Sequence, residues 1–336
     1  MKSVVIAEPG KLVLETRALP EPAAGEVRVK VKFASICGSD VHIWHGHNPF
    51  ARYPRVIGHE FFGVIDAVGA GVEAARIGER VAVDPVVSCG HCYPCSVGRP
   101  NVCSELQVIG VHRDGGFSDY AVAPARNAYR VPEAIPDKLA SLIEPFTIAA
   151  NICAFLQPQP NDVALIFGAG PMGLTAIQAL KGVYKVKKVI VADRLPERLA
   201  MAKESGADVT LDNSEIPLAA QLEGEKPTLI IDAACHPAIL AEAVALASPA
   251  ARIGLLGFSG EPCTVTQQSL TSKELSLFTS RLNSQRFPQV IEWMEKGLIA
   301  PEKLVTHYLP LNDVEAAMTL FEKDPRSCCK VILEVS

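Results

Sequence analysis

Four cysteines lie close together in the chain, at Cys89, Cys92, Cys95 and Cys103. Thiolates at this spacing can close a tetrahedron around one zinc ion, with sulfur at every position. Such a site is structural, because it leaves no position for a substrate. An iron–sulfur cluster also uses closely spaced cysteines, and independent free thiols are a further alternative. Zinc is favoured because nothing else in the sequence indicates electron transfer.

A second set of possible metal ligands is dispersed along the chain, as Cys37 and the pair His59-Glu60. Taken singly, such a cysteine is typical of a core and such a pair is typical of a surface. Together they offer a thiolate, an imidazole and a carboxylate, which suit a catalytic zinc with an open fourth position. Neighbours in a regular strand point to opposite faces, so both can bind one ion only where the backbone departs from that geometry. Gly58 permits such a departure.

The apolar residues 163–167 lead directly into a glycine-rich turn, and a helical pattern follows. The turn consists of Gly168, Ala169, Gly170, Pro171, Met172 and Gly173. A GxGxxG motif between a strand and a helix indicates a dinucleotide site. Its glycines permit the tight turn, the approach of the pyrophosphate and close packing of the helix on the strand, respectively. The phosphates would lie on N–H groups at the helix N-terminus. A turn that binds no nucleotide is the alternative.

Asp193 ends the second strand of this pattern, twenty residues after Gly173. A carboxylate at this place accepts the ribose hydroxyls of NAD and repels a 2′-phosphate. NAD is therefore the predicted cofactor. Arg194 and Arg198 follow at once, and an arginine here could reach the 2′-phosphate of NADP. A preference for NADP stays open as the alternative.

Two hydrophobic patterns divide the chain. Up to about residue 145, apolar and polar residues alternate in runs such as Glu26–Phe33, which predicts half-buried strands of a barrel or sandwich. Between residues 163 and 256, short runs that are apolar throughout alternate with helical patterns. This alternation predicts a parallel sheet covered by helices on both faces. Two helices and a last strand are expected after residue 278.

Length and composition exclude several classes of protein. The 336 residues exceed what one hydrophobic core ordinarily serves, so two domains are expected. The chain is 49% hydrophobic with a net charge of −5, which excludes a disordered chain and argues against a nucleic-acid partner. Since there is no run of about 18 apolar residues and no signal-peptide pattern, we expect no membrane contact and a cytoplasmic protein. Its ten cysteines should then stay reduced.

The order of the motifs resembles one family along the whole chain. Cys-Gly-Ser-Asp-x-His at 37–42, Gly-His-Glu-x-x-Gly at 58–63, the four cysteines and the GxGxxG turn follow one another as in the zinc-dependent medium-chain alcohol dehydrogenases. The resemblance implies an α/β protein with a β-rich GroES-like barrel and a Rossmann doubly wound parallel sheet. It also implies two zinc ions per chain, NAD, and a homodimer or homotetramer. The implied segments are a catalytic domain at 1–146 with a zinc lobe at about 89–103, an NAD-binding domain at 147–278, and residues 279–336 returning to the catalytic domain.

The resemblance extends to the catalytic residues. It places the catalytic zinc on four residues, Cys37, His59, Glu60 and, through Leu-Ile-Glu-Pro at 142–145, Glu144. Because three of these ligands are anionic, we expect one glutamate to bind at a time, with water or the other glutamate completing the shell. The resemblance also implies that Ser39 passes the alcohol proton through the cofactor ribose to His42. A turn serine and an ordinary surface histidine are the alternative interpretation.

The substrate follows from a narrower resemblance. Residues 48–50, 53–60 and 110–117 resemble bacterial hexonate 5-dehydrogenases of the polyol, threonine and sugar-acid branch. This implies NAD-linked oxidation of a secondary hydroxyl of a polyhydroxylated, anionic substrate, such as L-galactonate or L-gulonate, to the ketone.

Three side chains are candidates for contact with such a substrate. His45 and His112 lie in loops that could present cationic donors to a carboxylate. Arg281 matches an arginine near the zinc-bound glutamate of polyol dehydrogenases. Solvated loop residues are the alternative for each of them. Neutral polyols or L-threonine are the alternative substrates, and a non-catalytic zinc-containing sensor or regulator on the same fold is the alternative class.

Overall fold

The computed structural model describes residues Met1–Val335, which fold into two compact units. Unit 1 contains Met1–Glu144, Ser284–Glu295 and residues 305–335. Unit 2 contains Pro145–Asn283 and Lys296–Leu304. The chain therefore leaves unit 1 at Glu144, builds most of unit 2, and returns to unit 1 with one short excursion.

Strands and helices are numbered in chain order. The strands are β1 (Lys2–Glu8), β2 (Lys11–Thr16), β3 (Glu26–Ser35), β4 (Arg55–Val56), β5 (Glu60–Val68), β6 (Arg80–Val83), β7 (Val86–Val87), β8 (Gln107–Val108), β9 (Tyr120–Pro124), β10 (Ala128–Arg130), β11 (Val163–Phe167), β12 (Lys188–Asp193), β13 (Val209–Asp212), β14 (Leu229–Asp232), β15 (Arg252–Leu255), β16 (Ser276–Thr279), β17 (Val305–Pro310) and β18 (Lys330–Glu334). The helices are α1 (Gly38–Trp44), α2 (Tyr93–Ser96), α3 (Asp137–Ala140), α4 (Ile143–Leu156), α5 (Pro171–Gln178), α6 (Pro196–Glu204), α7 (Leu218–Gln221), α8 (Ile239–Leu246), α9 (Gln267–Thr271), α10 (Phe287–Glu295) and α11 (Val314–Lys323). Within residues 1–335, no helix combines the length and the apolar character of a membrane span.

The main sheet of unit 1 is built around β3. Its sequence alternates, so that Val27, Val29 and Val31 are buried while Lys30 is exposed. β3 pairs antiparallel with β5, β9 and β18, and the order across the sheet is β10-β6-β5-β3-β18-β17. The late strand β18 thus lies beside β3, with Ile332 opposite Ser35.

Unit 2 is built on a parallel sheet with the strand order β13-β12-β11-β14-β15-β16. β11 lies inside the sheet because the chain first adds strands on one side of it and then on the other, which is doubly wound topology. The inner strands carry buried apolar runs, and Leu165 of β11 and Ile230 of β14 are fully buried. Leu218, Ile239 and Val244 of α7 and α8 pack against them. This sheet confirms the predicted α/β fold.

Candidate functional site

The four clustered cysteines converge in the loop between β7 and β8 of unit 1. The Sγ–Sγ distances are 3.5 Å for Cys92–Cys95, 3.7 Å for Cys92–Cys103 and 3.5 Å for Cys89–Cys103. Sulfurs at about 2.3 Å from a tetrahedral zinc lie about 3.8 Å apart, so these thiols fit one zinc ion. Hydrogen bonds from the backbone N–H groups of this loop, that of Ser104 foremost, lower the pKa of Cys92 to about 6, which favours the thiolate.

The dispersed set also converges within unit 1. One ligand atom from each of Cys37, His59 and Glu60 lies within 4.8 Å of the other two. Cys37 follows β3 and precedes α1, whereas His59 immediately precedes β5 and Glu60 is its first residue. His59 is 6% exposed and Glu60 is fully buried, so a metal bound here would be shielded from bulk water. The donor set of sulfur, nitrogen and oxygen fits zinc.

The backbone at Gly58 explains how two adjacent side chains reach one place. Gly58 has a φ of +93°, a region that favours glycine, and regular β5 begins only at Glu60. A Cβ at this position would lie 2.2 Å from Cδ1 of Phe117. The departure from strand geometry is therefore built into the turn, and His59 and Glu60 are not alternating residues of one strand.

Asp40 holds the two ligand segments together, a role that the sequence analysis missed. Its Oδ2 accepts the Cys37 N–H at 2.9 Å, and its Oδ1 accepts the Gly58 N–H at 3.2 Å. The same Oδ1 lies 3.4 Å from Nδ1 of His59. Although burial opposes a charged imidazole, Asp40 holds the pKa of His59 well above its ordinary value. A carboxylate at Nδ1 also orients the ring so that Nε2 can bind a metal.

The Glu60 carboxylate has its own partners. Ser35 Oγ donates to Oε2, and the Lys330 ammonium contacts both oxygens, at 2.6 Å for Oε1. Lys330 stands at the start of β18 and is 1% exposed. Although burial opposes its charge, Glu60 outweighs that effect and raises the pKa of Lys330. Nothing in the local sequence marked this lysine, because β18 reaches the site through sheet pairing.

Glu144 is buried in the same region, at the second residue of α4. Burial raises its pKa to about 8; His59 and Lys330 oppose this shift, and Glu60 adds to it. These electrostatic neighbours place Glu144 close to the dispersed set. It does not, however, belong to the group whose ligand atoms lie within 4.8 Å of one another in the described residues.

Ser39 and His42 lie on α1, beside the dispersed set. Ser39 Oγ is 3.4 Å from Nε2 of His59 and is partly buried. His42 is three residues further along the helix and is exposed. Side chains at i and i+3 occupy one helix face. Ser39 therefore lies next to the metal-ligand set, and His42 lies on the same helix face at the protein surface.

The glycine-rich turn of unit 2 joins β11 to α5. Gly168 has a φ of +93°, and a Cβ at Gly173 would lie 1.9 Å from the Gly168 carbonyl oxygen. Both positions therefore require glycine. A Cβ at Gly170 would meet only Nη1 of Arg198, at 3.8 Å, so this face of the turn is open. Pro171 and Met172 begin α5, and the cradle fits the phosphates of a dinucleotide.

Asp193 ends β12 and supports the same turn. Its Oδ2 accepts the Ala169 N–H at 2.7 Å, and its Oδ1 accepts the Leu195 N–H at 2.9 Å. Each carboxylate oxygen has a second lone pair, so the group can still accept ribose hydroxyls. Arg198 is 8% exposed, with its guanidinium near the turn, whereas the charge of Arg194 acts on Glu242.

The three residues predicted to contact substrate have distinct surroundings. His45 Nε2 lies 3.0 Å from Oε1 of Glu322, and the ring stacks on Trp44. His112 Nδ1 accepts the Val108 N–H at 3.0 Å. In unit 2, the Arg281 guanidinium lies over the ring of Phe258 at 5.6 Å. Each of the three side chains thus contacts another group of the protein.

Two family models match the chain. The alcohol dehydrogenase GroES-like domain covers residues 23–133, and the zinc-binding dehydrogenase model covers residues 171–296. The chain belongs to the zinc-type alcohol dehydrogenase family. The predicted fold and enzyme class are thereby confirmed: unit 1 carries the GroES-like domain of this family, and the protein is an oxidoreductase of the alcohol dehydrogenase type.

Individual members of this zinc-type dehydrogenase family resemble the chain along its length. The starvation-sensing protein RspB of Escherichia coli is 65% identical over 100% of both chains. L-galactonate-5-dehydrogenase of Escherichia coli is 34% identical over 92% of each. A crystal structure of an alcohol dehydrogenase (rspB) from E. coli CFT073, complexed with the cofactor NADH, has a TM-score of 0.98 at 65% identity and 99% coverage of both chains.

Proposed function

We propose that this protein oxidises a secondary hydroxyl of a sugar acid, such as L-galactonate or L-gulonate, to the ketone, with NAD as the hydride acceptor. The observation that carries the proposal is the set of half-buried Cys37 with buried His59 and Glu60, and Ser39 lies beside it. A thiolate, an imidazole and a carboxylate leave a fourth position for a substrate oxygen, which a structural site would not.

Different residues of the chain bind the two zinc ions and transfer the proton in this proposal. Cys37 and His59 hold the catalytic zinc, with Glu60 and Glu144 as the two carboxylates available to it, while Cys89, Cys92, Cys95 and Cys103 hold the structural zinc. Bound zinc supplies Lewis acidity that lowers the pKa of the substrate hydroxyl. Ser39 would accept the substrate hydroxyl proton and pass its own hydroxyl proton through the cofactor ribose to His42, and the exposed His42 would release a proton to water.

The cofactor assignment rests on unit 2. Gly168, Gly170 and Gly173 shape the turn, Pro171 and Met172 open the helix above the phosphates, and Asp193 accepts the ribose hydroxyls, with Arg198 beside them. The solved relative at 65% identity carries NADH, which supports NAD over NADP. Arg194 and Arg198 keep the phosphorylated cofactor as the alternative to be tested.

The substrate assignment draws on relatives and on cationic side chains. A relative at 34% identity is L-galactonate-5-dehydrogenase. His45, His112 and Arg281 are the groups proposed to meet a carboxylate. Of these, His45 would have to exchange Glu322 for the substrate, since Glu322 Oε1 lies 3.0 Å from its Nε2.

A substrate panel tests the proposal. The purified, zinc-replete protein is assayed with L-galactonate, L-gulonate, sorbitol and L-threonine, each with NAD and NADP, by the absorbance of reduced nicotinamide. We expect the highest kcat/KM for a hexonate with NAD, and no turnover in Cys37→Ser. Activity confined to sorbitol or L-threonine would replace the sugar acid by that substrate class.

A second candidate function comes from the name of one relative. RspB, at 65% identity, is called a starvation-sensing protein, and the second candidate is therefore a non-catalytic sensor on the same fold. Retention of the donor set, Ser39 and the glycine turn favours catalysis. A protein with two zinc ions and bound NADH that turns over no member of the panel would favour the sensor.

We also propose a cytoplasmic homodimer or homotetramer. No disulfide joins any of the ten cysteines, all of which lie in the described part of the chain, as in a reducing compartment. The edge strand β16 leaves Leu277 37% exposed, and an unpaired edge is suited to pairing with a second copy. Light scattering of the purified protein would give the mass, and a monomer at micromolar concentration would contradict the proposal.

A further inference from the structure

The Lys330 ammonium is buried within the GroES-like unit, next to proposed zinc ligands. It is 1% exposed, and lysines are almost never fully buried unless they are paired. It contacts both Glu60 oxygens, and it donates to the Ile36 carbonyl at 2.9 Å. Ile36 immediately precedes Cys37. One cation thus touches one candidate ligand and the backbone next to another.

The Glu60 carboxylate is bound by one cation, Lys330, and a metal ion at this site would compete with it. Ser35 Oγ and Lys330 Nζ engage its oxygens in the structure, yet Glu60 also belongs to the set whose ligand atoms lie within 4.8 Å. To bind a metal, the carboxylate must aim a lone pair at the ion and give up part of its contact with Lys330. The buried ammonium would then lose part of its closest ion pair, which is unfavourable in a buried site.

We propose that Lys330 is a positioning residue that holds Glu60 away from the catalytic zinc and so keeps a coordination position open for the substrate oxygen. This inference rests on the proposed function, since it requires the zinc at Cys37 and His59. The same contact balances the charge of the site. Cys37, Glu60 and Glu144 would bring three anions to one dication, and the Lys330 ammonium neutralises the Glu60 carboxylate that is kept from the metal.

The pairing of two strands fixes Lys330 in its place beside Glu60. β18 pairs with β3 at Ile332 and Ser35, so the strand that carries Lys330 is fixed to the strand that leads into Cys37. Ser35, which also binds Glu60, stands at the end of the same β3. Both groups that hold the Glu60 carboxylate thus come from paired strands, and their positions do not depend on a flexible loop.

Cobalt(II) spectroscopy of the holoenzyme tests the proposal. Cobalt replaces zinc at the catalytic site, with zinc retained in the four-cysteine lobe, and visible absorption reports the ligand number. We expect Glu60→Gln to keep the wild-type spectrum, because Glu60 is not a resting ligand. We expect Lys330→Met to change the spectrum, because the released Glu60 carboxylate binds the metal. The same variant should bind imidazole, a ligand for the open position of the metal, about tenfold more weakly.

Two further variants distinguish a positioning role of the Lys330 charge from a purely structural role of this residue. Lys330→Arg keeps a cation beside Glu60 and should keep the wild-type spectrum. The double variant Lys330→Met with Glu60→Gln should return to it, because the released carboxylate is gone. Lys32→Met, which removes a partly exposed lysine paired with Asp137, is the matched control and should leave the cobalt bands unchanged.

The outcomes are distinguishable. A changed spectrum in Glu60→Gln would overturn the inference even if Lys330→Met fails to fold. A folded Lys330→Met with the wild-type spectrum would overturn it as well. The proposed catalytic site itself fails if the wild-type protein takes up no cobalt, or if the Cys37→Ser variant gives the full wild-type cobalt signal. The inference then fails with it.

Discussion

The Asp193 carboxylate accepts the Ala169 N–H at 2.7 Å, which ties the end of β12 to the glycine-rich turn. Asp212 stands at the same level of the neighbouring strand, as the register partner of Asp193, but it caps its own turn at Ser214. Of these two adjacent carboxylates, only Asp193 thus accepts a hydrogen bond from the glycine-rich turn in the described structure.

Replacing Asp193 by alanine should therefore weaken NADH binding and reduce discrimination against NADPH. The turn loses an acceptor and the ribose loses its partner, so we expect a rise in Kd for NADH of about tenfold or more, equivalent to about 1.4 kcal/mol. Fluorescence titration with both nucleotides measures the change. Asp212→Ala is the matched control; an equal loss in the two variants would remove the special role of Asp193.

Gly58→Ala should disrupt the protein more than an alanine at an open glycine. Gly71 has a φ of +81° with nothing within 4 Å of a Cβ, so its replacement should cost only the backbone strain, about 1–2 kcal/mol. Gly58→Ala adds the clash with Phe117, about 1–3 kcal/mol further. Urea unfolding and zinc analysis compare them. Equal stability and full zinc in both variants would show that the turn at Gly58 is not needed.

Cys92→Ser should remove one zinc ion of two. The lobe contains few apolar residues of its own, so the metal contributes folding energy, and we expect Tm to fall by about 10 °C or more. Metal analysis and thermal unfolding measure these effects, with the exposed Cys263→Ser as control. Cys37→Ser should lose the other ion. Two zinc ions in Cys92→Ser would contradict the assignment of the lobe.

Ser39→Ala should lower kcat at least about 100-fold and leave zinc content unchanged, because a positioned proton acceptor contributes about 10²–10⁴-fold. Turnover with the best substrate of the panel, together with metal analysis, measures both. Ser259→Ala, at an exposed serine of unit 2, is the control. Retained turnover in Ser39→Ala would remove this residue from the mechanism.

Asp137→Asn should destabilise the protein near neutral pH and much less in acid. Burial alone would raise the pKa of Asp137, but hydrogen bonds from Lys32 and Arg80 outweigh it and lower the pKa. A depressed pKa stabilises the folded state above the unfolded value of about 3.9, and this gain is lost as pH falls through the folded pKa. Urea unfolding of both proteins at pH 7, 5 and 3.5 checks this. A difference that grows toward acid would contradict the sign.

Much of the fold was predictable because its inner strands carry strong patterns. The run at β3 alternates and the run at β11 is continuously apolar, and the sequence predicts a strand at each. β13 and β16 were missed because they are edge strands whose residues are half-buried or exposed, so no continuous apolar run marks them.

The candidate site was predictable where its residues lie in local motifs, as Cys37 and His59 do. The role of Lys330 could not be predicted, because this residue reaches Glu60 through the pairing of β18 with β3. No local sequence pattern encodes that contact. Asp40 stood inside a recognised motif, yet its three contacts depend on how Gly58 turns the chain.

The pairing of β18 with β3 has a consequence for biosynthesis. The ribosome makes β3, then all of unit 2's sheet, and only afterwards the strand that delivers Lys330. Until that strand docks, the nascent GroES-like unit exposes one side of β3 and holds the Glu60 carboxylate without its ammonium. The Glu60–Lys330 ion pair is therefore completed late in synthesis, and the parallel sheet can form before it.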